Sequence, residues 1–239
     1  MSATPLTDLP PSLIEALRQA RDCGFLGDGP IDTHIAHALG FAAAAESVGD
    51  GVGAPLGGSA LDGRQIDLWM DLGSGGGIPG LILAHRWPDR PAVLLDSNVR
   101  RTRFLAQVVE DQGWDDRIRV VTSRAEVAGR AEDLRGAFSL VVARSFGSPS
   151  VTAECAAPFL RCGGILVVSE PPTSGAVADL DRGRWPAEGL MTVGLTRLAL
   201  WRGQFGYGIL RQAQECPPRF PRRVGVPAKR PLYRTPDEA

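Results

Sequence analysis

Between an apolar run, "QIDLWMDLG", and a helical stretch lies "DLGSGGGIPG", residues 71–80, in which five of the ten residues are glycine. A short buried strand that runs into a glycine-rich loop and then into a helix is the opening of an α/β unit. Gly73, Gly75 and Gly77 allow a tight turn and let the main chain touch a ligand at the C-terminal edge of a sheet. Glycines alone are weak evidence, so the surrounding chain has to agree. It does. "PAVLLDS", "RIRVVTS", "FSLVVARS" and "GGILVVSE" are further short apolar runs, and helical stretches such as "VRRTRFLAQVVEDQG" separate them. In that helix Phe104, Leu105, Val108 and Val109 recur at helical spacing, as core-packing residues do. Strands alternating with helices imply a mostly parallel sheet covered on both faces. "LMTVGLTRLALW" and "YGILRQ" read as two final strands joined by the hairpin-like "RGQFG".

Upstream, "PPSLIEALRQARDCG" is a short helix with a proline start and a glycine stop, and "DTHIAHALGFAAAAESVGDG" is a second, with Asp32 as its N-cap. The glycine-rich "GDGVGAPLGGSALDGR" reads as a linker. The expected division is therefore a helical segment and linker over residues 1–60, then one domain over 61–239 that ends in a basic tail. The tail, "CPPRFPRRVGVPAKRPLYRTPDEA", holds too many prolines for a helix or interior strand.

Among 239 residues 44% are hydrophobic, which suits a chain with a substantial core, and the formal net charge of -1 advertises no partner. Lys229 is the one lysine among 26 basic residues. The four cysteines form no CxxC pair, and Cys155 and Cys162 are expected in the core. His34 and His37 lack a third ligand, so no metal is expected. No apolar run is long enough for a membrane span, and the N-terminus lacks a signal peptide's basic and apolar regions. A reduced, cytoplasmic and monomeric protein without a membrane partner is the resulting expectation.

Asp96 ends the run after the glycine loop, about 20 residues on, where the ribose-binding acid of a nucleotide site stands. Asp71 opens the loop. A dinucleotide needs a helix N-terminus for its pyrophosphate. S-adenosylmethionine has no phosphate but carries an ammonium that a carboxylate can complement. Asp71 and the D-x-G-x-G-x-G spacing, distinct from G-x-G-x-x-G, favour S-adenosylmethionine; an NAD-dependent oxidoreductase is the disfavoured alternative.

In order, "DLGSGGGIPG", "LLDSNVRRTRFL", "SRAE", "VVARSF", "PFLRCGG" and "PRRVGVPAKRPL" resemble the RsmG (GidB) family of small-subunit rRNA guanine-N7 methyltransferases. The resemblance implies a class I methyltransferase fold, Rossmann-like, with S-adenosyl-L-methionine as donor and rRNA or the small ribosomal subunit as partner. By position it implies that Gly73, Ser74 and Gly75 line the methionine side of the cofactor, beside Asp71 and Gly77. It places Asp96 and Ser97 at the ribose and Ala125 and Glu126 at the adenine. Arg144 would face cofactor and incoming base as the catalytic positioning residue. Arg222, Arg223, Lys229 and Arg230 would meet RNA phosphates, with Phe220 and Tyr233 as stacking faces. The chain departs from the family pattern at Ser169 and Glu170, where a lysine and a glycine are usual, and at Thr33 and His37, which replace an arginine and an aspartate. A methyltransferase with another acceptor, and a non-catalytic RNA-binding relative, are the alternatives.

Overall fold

The computed structural model describes residues 9–48, 67–171 and 183–235. The expected linker and the division near residue 60 lie outside the described residues. In chain order the elements are α1 (Pro11–Asp22), α2 (Ile31–Ser47), β1 (Trp69–Leu72), α3 (Gly80–Arg86), β2 (Ala92–Asp96), α4 (Val99–Asp111), β3 (Ile118–Thr122), α5 (Ala125–Ala128), β4 (Phe138–Ala143), α6 (Pro149–Ala156), β5 (Leu160–Glu170), α7 (Ala187–Met191), β6 (Leu195–Arg202), β7 (Gly206–Gln212) and α8 (Val226–Lys229).

Seven strands form one sheet in the order β3-β2-β1-β4-β5-β7-β6. The first five are mutually parallel. β7 runs antiparallel to both β5 and β6. Because strand side chains alternate, each apolar run feeds two cores. Trp69, Leu94, Leu140 and Ile165 face a cluster with α1–α4, while Met70, Leu95, Val141 and Leu166 face one on the other side with Phe159 and Phe220. α1 and α2 share the first cluster with the sheet through Leu13, Leu17, Ile35 and Phe41, so the N-terminal segment is part of the same core. Tyr207 of β7 donates its hydroxyl to the His37 carbonyl at 2.7 Å. Gly40 makes room for that ring: a Cβ there would collide with it.

Several local expectations change. Asp32 is not an N-cap; Pro30 holds that position and Asp32 lies in the first turn. "LMTVG" is not strand, because Leu190 and Met191 close α7 and Gly194 turns at φ +80° into β6. Cys155 is buried but Cys162 is exposed. The prolines of the tail do not exclude helix: Pro227 sits in the first turn of α8, where its missing N–H leaves no hydrogen bond unmade.

Candidate functional site

The chain reverses its direction across the sheet between β1 and β4, so the C-terminal ends of these neighbours splay apart and leave a crevice. A cavity of about 560 Å³ opens there. Gly73, Asp96, Ser97, Ala125 and Glu126 line it, together with Arg101, Phe146 and Ala228.

The glycines of the loop serve different ends. Gly73, Gly75 and Gly77 have φ of +78°, +55° and +95°, a region open chiefly to glycine. A Cβ on Gly73 would come within 2.7 Å of the Phe146 ring, so this glycine lets the loop after β4 close over the loop after β1. A Cβ on Gly77 would strike Leu81 and crowd Leu105, so Gly77 serves loop packing. Gly75 donates its N–H to Asp96 Oδ2 at 2.9 Å, and Asn98 donates to Oδ1 at 2.8 Å. Arg101 adds an ion pair to Oδ2 at 3.7 Å. These partners aim the Asp96 carboxylate from the end of β2, and its oxygens retain lone pairs for further donors. Asn98, unnoticed in the sequence, caps α4 by accepting from Arg100 and Arg101 N–H groups.

Asp71 is fully buried and does not line the cavity. Its Oδ2 accepts from Gly80 N–H at 2.9 Å, while its Oδ1 is buried with no hydrogen-bond partner. Burial raises its pKa to about 7, against the hydrogen bond from Gly80. Ser74 is also buried and donates to the Asp71 carbonyl at 2.9 Å. The expected direct contact of these two side chains with a ligand is corrected: both brace the loop from beneath.

Glu126 lies in the first turn of α5, after β3, and accepts from Arg124 at 3.2 Å and from Gly225 N–H at 3.0 Å. Burial would raise its pKa, but these hydrogen bonds outweigh it and the pKa is lowered. Gly225 belongs to the tail, which makes the tail part of the site's wall. Arg222 forks onto Glu154, itself fully buried in α6, with Nε contacts of 2.9 and 3.1 Å. Arg135 donates to four main-chain carbonyls, among them Cys216 and Phe220. Ser150 Oγ accepts from Leu232 and Tyr233 N–H. The basic tail is thus a strap folded over α5 and α6. Arg222 serves that fold, Phe220 is buried in the core, and Arg223, Lys229 and Arg230 are exposed.

Arg144 also stands elsewhere than expected. It lines neither this cavity nor its neighbour. Its guanidinium donates to His34 Nδ1 at 2.9 Å, which leaves the His34 proton on Nε2, donated to the Gly27 carbonyl at 3.0 Å. Arg144 therefore ties α2 to the end of β4. The next residue, Ser145, is the one non-glycine with positive φ among the described residues, at 52°. Such backbone strain tends to collect at binding sites. Ser145, Phe146 and Gly147 separate the first cavity from a second of about 300 Å³, which is also lined by His37, Glu170, Arg184 and Trp185. Among the described residues no group of three or more metal-ligating side chains comes together, and no helix is long and apolar enough to cross a membrane.

Residues 57–170 match the family model for GidB, rRNA small subunit methyltransferase G. A ribosomal RNA small subunit methyltransferase G from Moorella thermoacetica is 35% identical over 170 residues, 68% of each chain. One from Prochlorococcus marinus (strain NATL1A) is 35% identical over 167 residues, 69% of this chain and 67% of that one. Among solved structures, a putative O-methyltransferase from Klebsiella pneumoniae superposes with a TM-score of 0.54 at 14% identity, over 86% of this chain and 91% of that one. A Podospora anserina methyltransferase solved with S-adenosylhomocysteine gives 0.53 at 13% identity, over 85% and 88%. The fold is that of the class I methyltransferases.

Proposed function

This chain belongs to the rRNA small subunit methyltransferase G family, and on that premise we propose that it transfers a methyl group from S-adenosyl-L-methionine to N7 of a guanine in small-subunit rRNA. One observation supports the donor above the rest. A carboxylate, Asp96, is aimed by two main-chain N–H groups into the cavity at the point where the sheet reverses. Two hydroxyls of a ribose would find acceptors there, with Ser97 alongside. The Gly73 main chain would lie against the methionine end. Asp71, beneath the loop, would complement the ammonium through the field rather than by contact, and the ammonium would in turn favour its ionised form over the protonated one that burial favours. Ala125 and Glu126 would border the adenine, with Glu126 held in place by Arg124 and Gly225.

S-adenosylmethionine supplies an electrophilic methyl on a sulfonium. Guanine N7 offers an exposed lone pair and no proton, so no general base is required. The protein's contribution is alignment of the two partners and exclusion of water. Arg144, tied to His34, would fix the N-terminal helices against the site instead of touching the reacting atoms. Arg223, Lys229 and Arg230 are suited to RNA phosphates. The reading places the protein in the cytoplasm, where the small subunit is made.

Calorimetric titration with S-adenosylmethionine and, in parallel, with NAD tests the ligand class. Binding of the first and not the second is expected. Asp96→Ala should weaken that binding by about 2 kcal/mol or more, since each hydrogen bond to an ionised acceptor is worth roughly 1.5–3 kcal/mol. Unchanged affinity in this variant would refute the site assignment. Methyl transfer to small-subunit RNA, followed by borohydride–aniline cleavage at N7-methylguanine, tests the acceptor.

A further inference from the structure

The first cavity has a neighbour whose walls come from a different set of residues. It opens between the ends of β4 and β5, shares Ser145, Phe146 and Gly147 with the first, and measures about 300 Å³. Its far wall is built on Glu170, where the sequence departs from the lysine–glycine pattern. Glu170 ends β5, and its side chain is only 5% exposed. Its Oε1 accepts from the Trp185 indole N–H at 2.6 Å, and its Oε2 from Arg184 Nε at 3.0 Å. The carboxylate is charge-compensated by that arginine, and the indole is pinned by its polar edge. Gly208 on β7 lets the pair lie close: a Cβ there would come within 2.8 Å of Glu170 Oε1 and 3.4 Å of the indole nitrogen. Opposite lie Phe146 and His37, the latter stacked on Phe205 at 4.5 Å.

We propose that this second cavity receives the acceptor base, a single purine turned out of an RNA strand, that Trp185 is the face on which it stacks, and that Glu170 is the positioning residue that fixes the indole. The inference rests on the methyltransferase reading and adds to it the wall that holds the acceptor. Geometry favours it because the two cavities share the Ser145–Gly147 turn as a common wall, which sets an acceptor in the second beside a donor in the first. Size favours one nucleobase over a duplex. Charge favours a purine attacked at N7. In the transfer the N7 lone pair forms the new N–CH₃ bond, the electrons of the broken C–S bond stay on sulfur, and the base is left cationic. An aromatic face attracts a cation that develops over it. The other side chains facing that cation do not oppose it. His37 is neutral above about pH 4, because burial, and after it the charge of Arg144, lower its pKa. Arg184 is paired with Glu170.

The test is steady-state methyl transfer to small-subunit RNA, with cofactor affinity measured by calorimetry on the same preparations. Trp185→Ala should raise KM for RNA about tenfold or more, the range of base–aromatic stacking, and leave S-adenosylmethionine affinity within about twofold. Trp185→Phe should keep most of the wild-type KM, and Trp185→Leu, of apolar bulk but no aromatic face, should not. Glu170→Ala should raise KM less than Trp185→Ala and add little in the Trp185→Ala background. Should Trp185→Ala fail to fold, the comparison of Phe and Leu still decides. Equal KM for Phe and Leu, or a parallel loss of cofactor affinity, overturns the proposal. Wild-type protein that binds cofactor but transfers no methyl overturns the function and this pocket with it, whereas active wild type with an indifferent Trp185 overturns the pocket alone.

Discussion

The Asp71 carboxyl lies where no solvent reaches it. Its Oδ2 has one main-chain donor, its Oδ1 has none, and burial lifts its pKa from 3.8 to about 7. Between those values the folded protein holds a proton that the unfolded chain has released. The stability this residue contributes is therefore fully present below about pH 4 and is lost as pH rises through about 7. Urea unfolding at about pH 5 and about pH 8 should show it as a fall in stability with rising pH. Asp71→Asn, which keeps an acceptor for Gly80 N–H without the ionisation, should flatten that difference. Saturating S-adenosylmethionine should flatten it too, since a nearby ammonium favours the carboxylate. If the variant shows the wild-type pH dependence, Asp71 is not the group that titrates. The sequence placed this aspartate at the loop's edge correctly, but it could not show on which side of the loop the carboxylate would lie. That depends on Gly80, whose missing side chain leaves room for Oδ2.

At the scale of elements, the C-terminal strap shows why some of the molecule was legible in the sequence and some was not. Parallel strands buried on both faces must be continuous apolar runs, so β1, β2, β4 and the middle of β5 announce themselves, as do the amphipathic α1 and α4. The strap does not. Arg222 and its partner Glu154 are 68 residues apart, and a run of arginines looks like a solvated tail until a buried glutamate is found opposite. Trp185 was invisible for the same reason: its meaning comes from Glu170, 15 residues earlier in the chain. Arg222→Ala leaves Glu154 buried without its cation. Breaking such a pair costs about 3–5 kcal/mol, and the low end applies because the Arg222 side chain is 27% exposed. That corresponds to a fall in melting temperature of roughly 6–12 °C for a domain of this size. Arg222→Lys, a point charge without the fork, should fall between. A loosened strap also releases Gly225 from Glu126 and Ala228 from the cavity wall, so cofactor affinity should drop below the melting transition as well. If melting falls and affinity does not, the strap supports the fold without shaping the site.

The whole molecule has a formal net charge of -1, so attraction to RNA has to come from where its cations sit and not from their sum. The strap holds one face against α5 and α6 and turns Arg223, Lys229 and Arg230 to solvent, near the mouth that Ala228 helps to line. Phosphates bound along that outer face would bring an RNA strand past both cavities. Reversing the charge of these three residues should therefore weaken RNA binding. It should also reduce the steepness with which affinity falls with salt, by about 0.7 to 0.9 in the log–log slope for each phosphate no longer neutralised. Cofactor affinity should hardly change, because none of the three lines either of the two cavities or is seen to anchor the strap by its side chain; Arg222, beside Arg223 in the chain, behaves in the opposite way. The measurement is RNA binding at several salt concentrations for wild type and triple variant, with S-adenosylmethionine titration beside it. An unchanged salt slope would mean that the phosphates run along another face, with Arg100 and Arg101 at the start of α4 as the next cations to reverse. A collapse of cofactor binding would mean that the outer and inner faces of the strap cannot be separated, and that RNA and cofactor are held by one element acting as a unit.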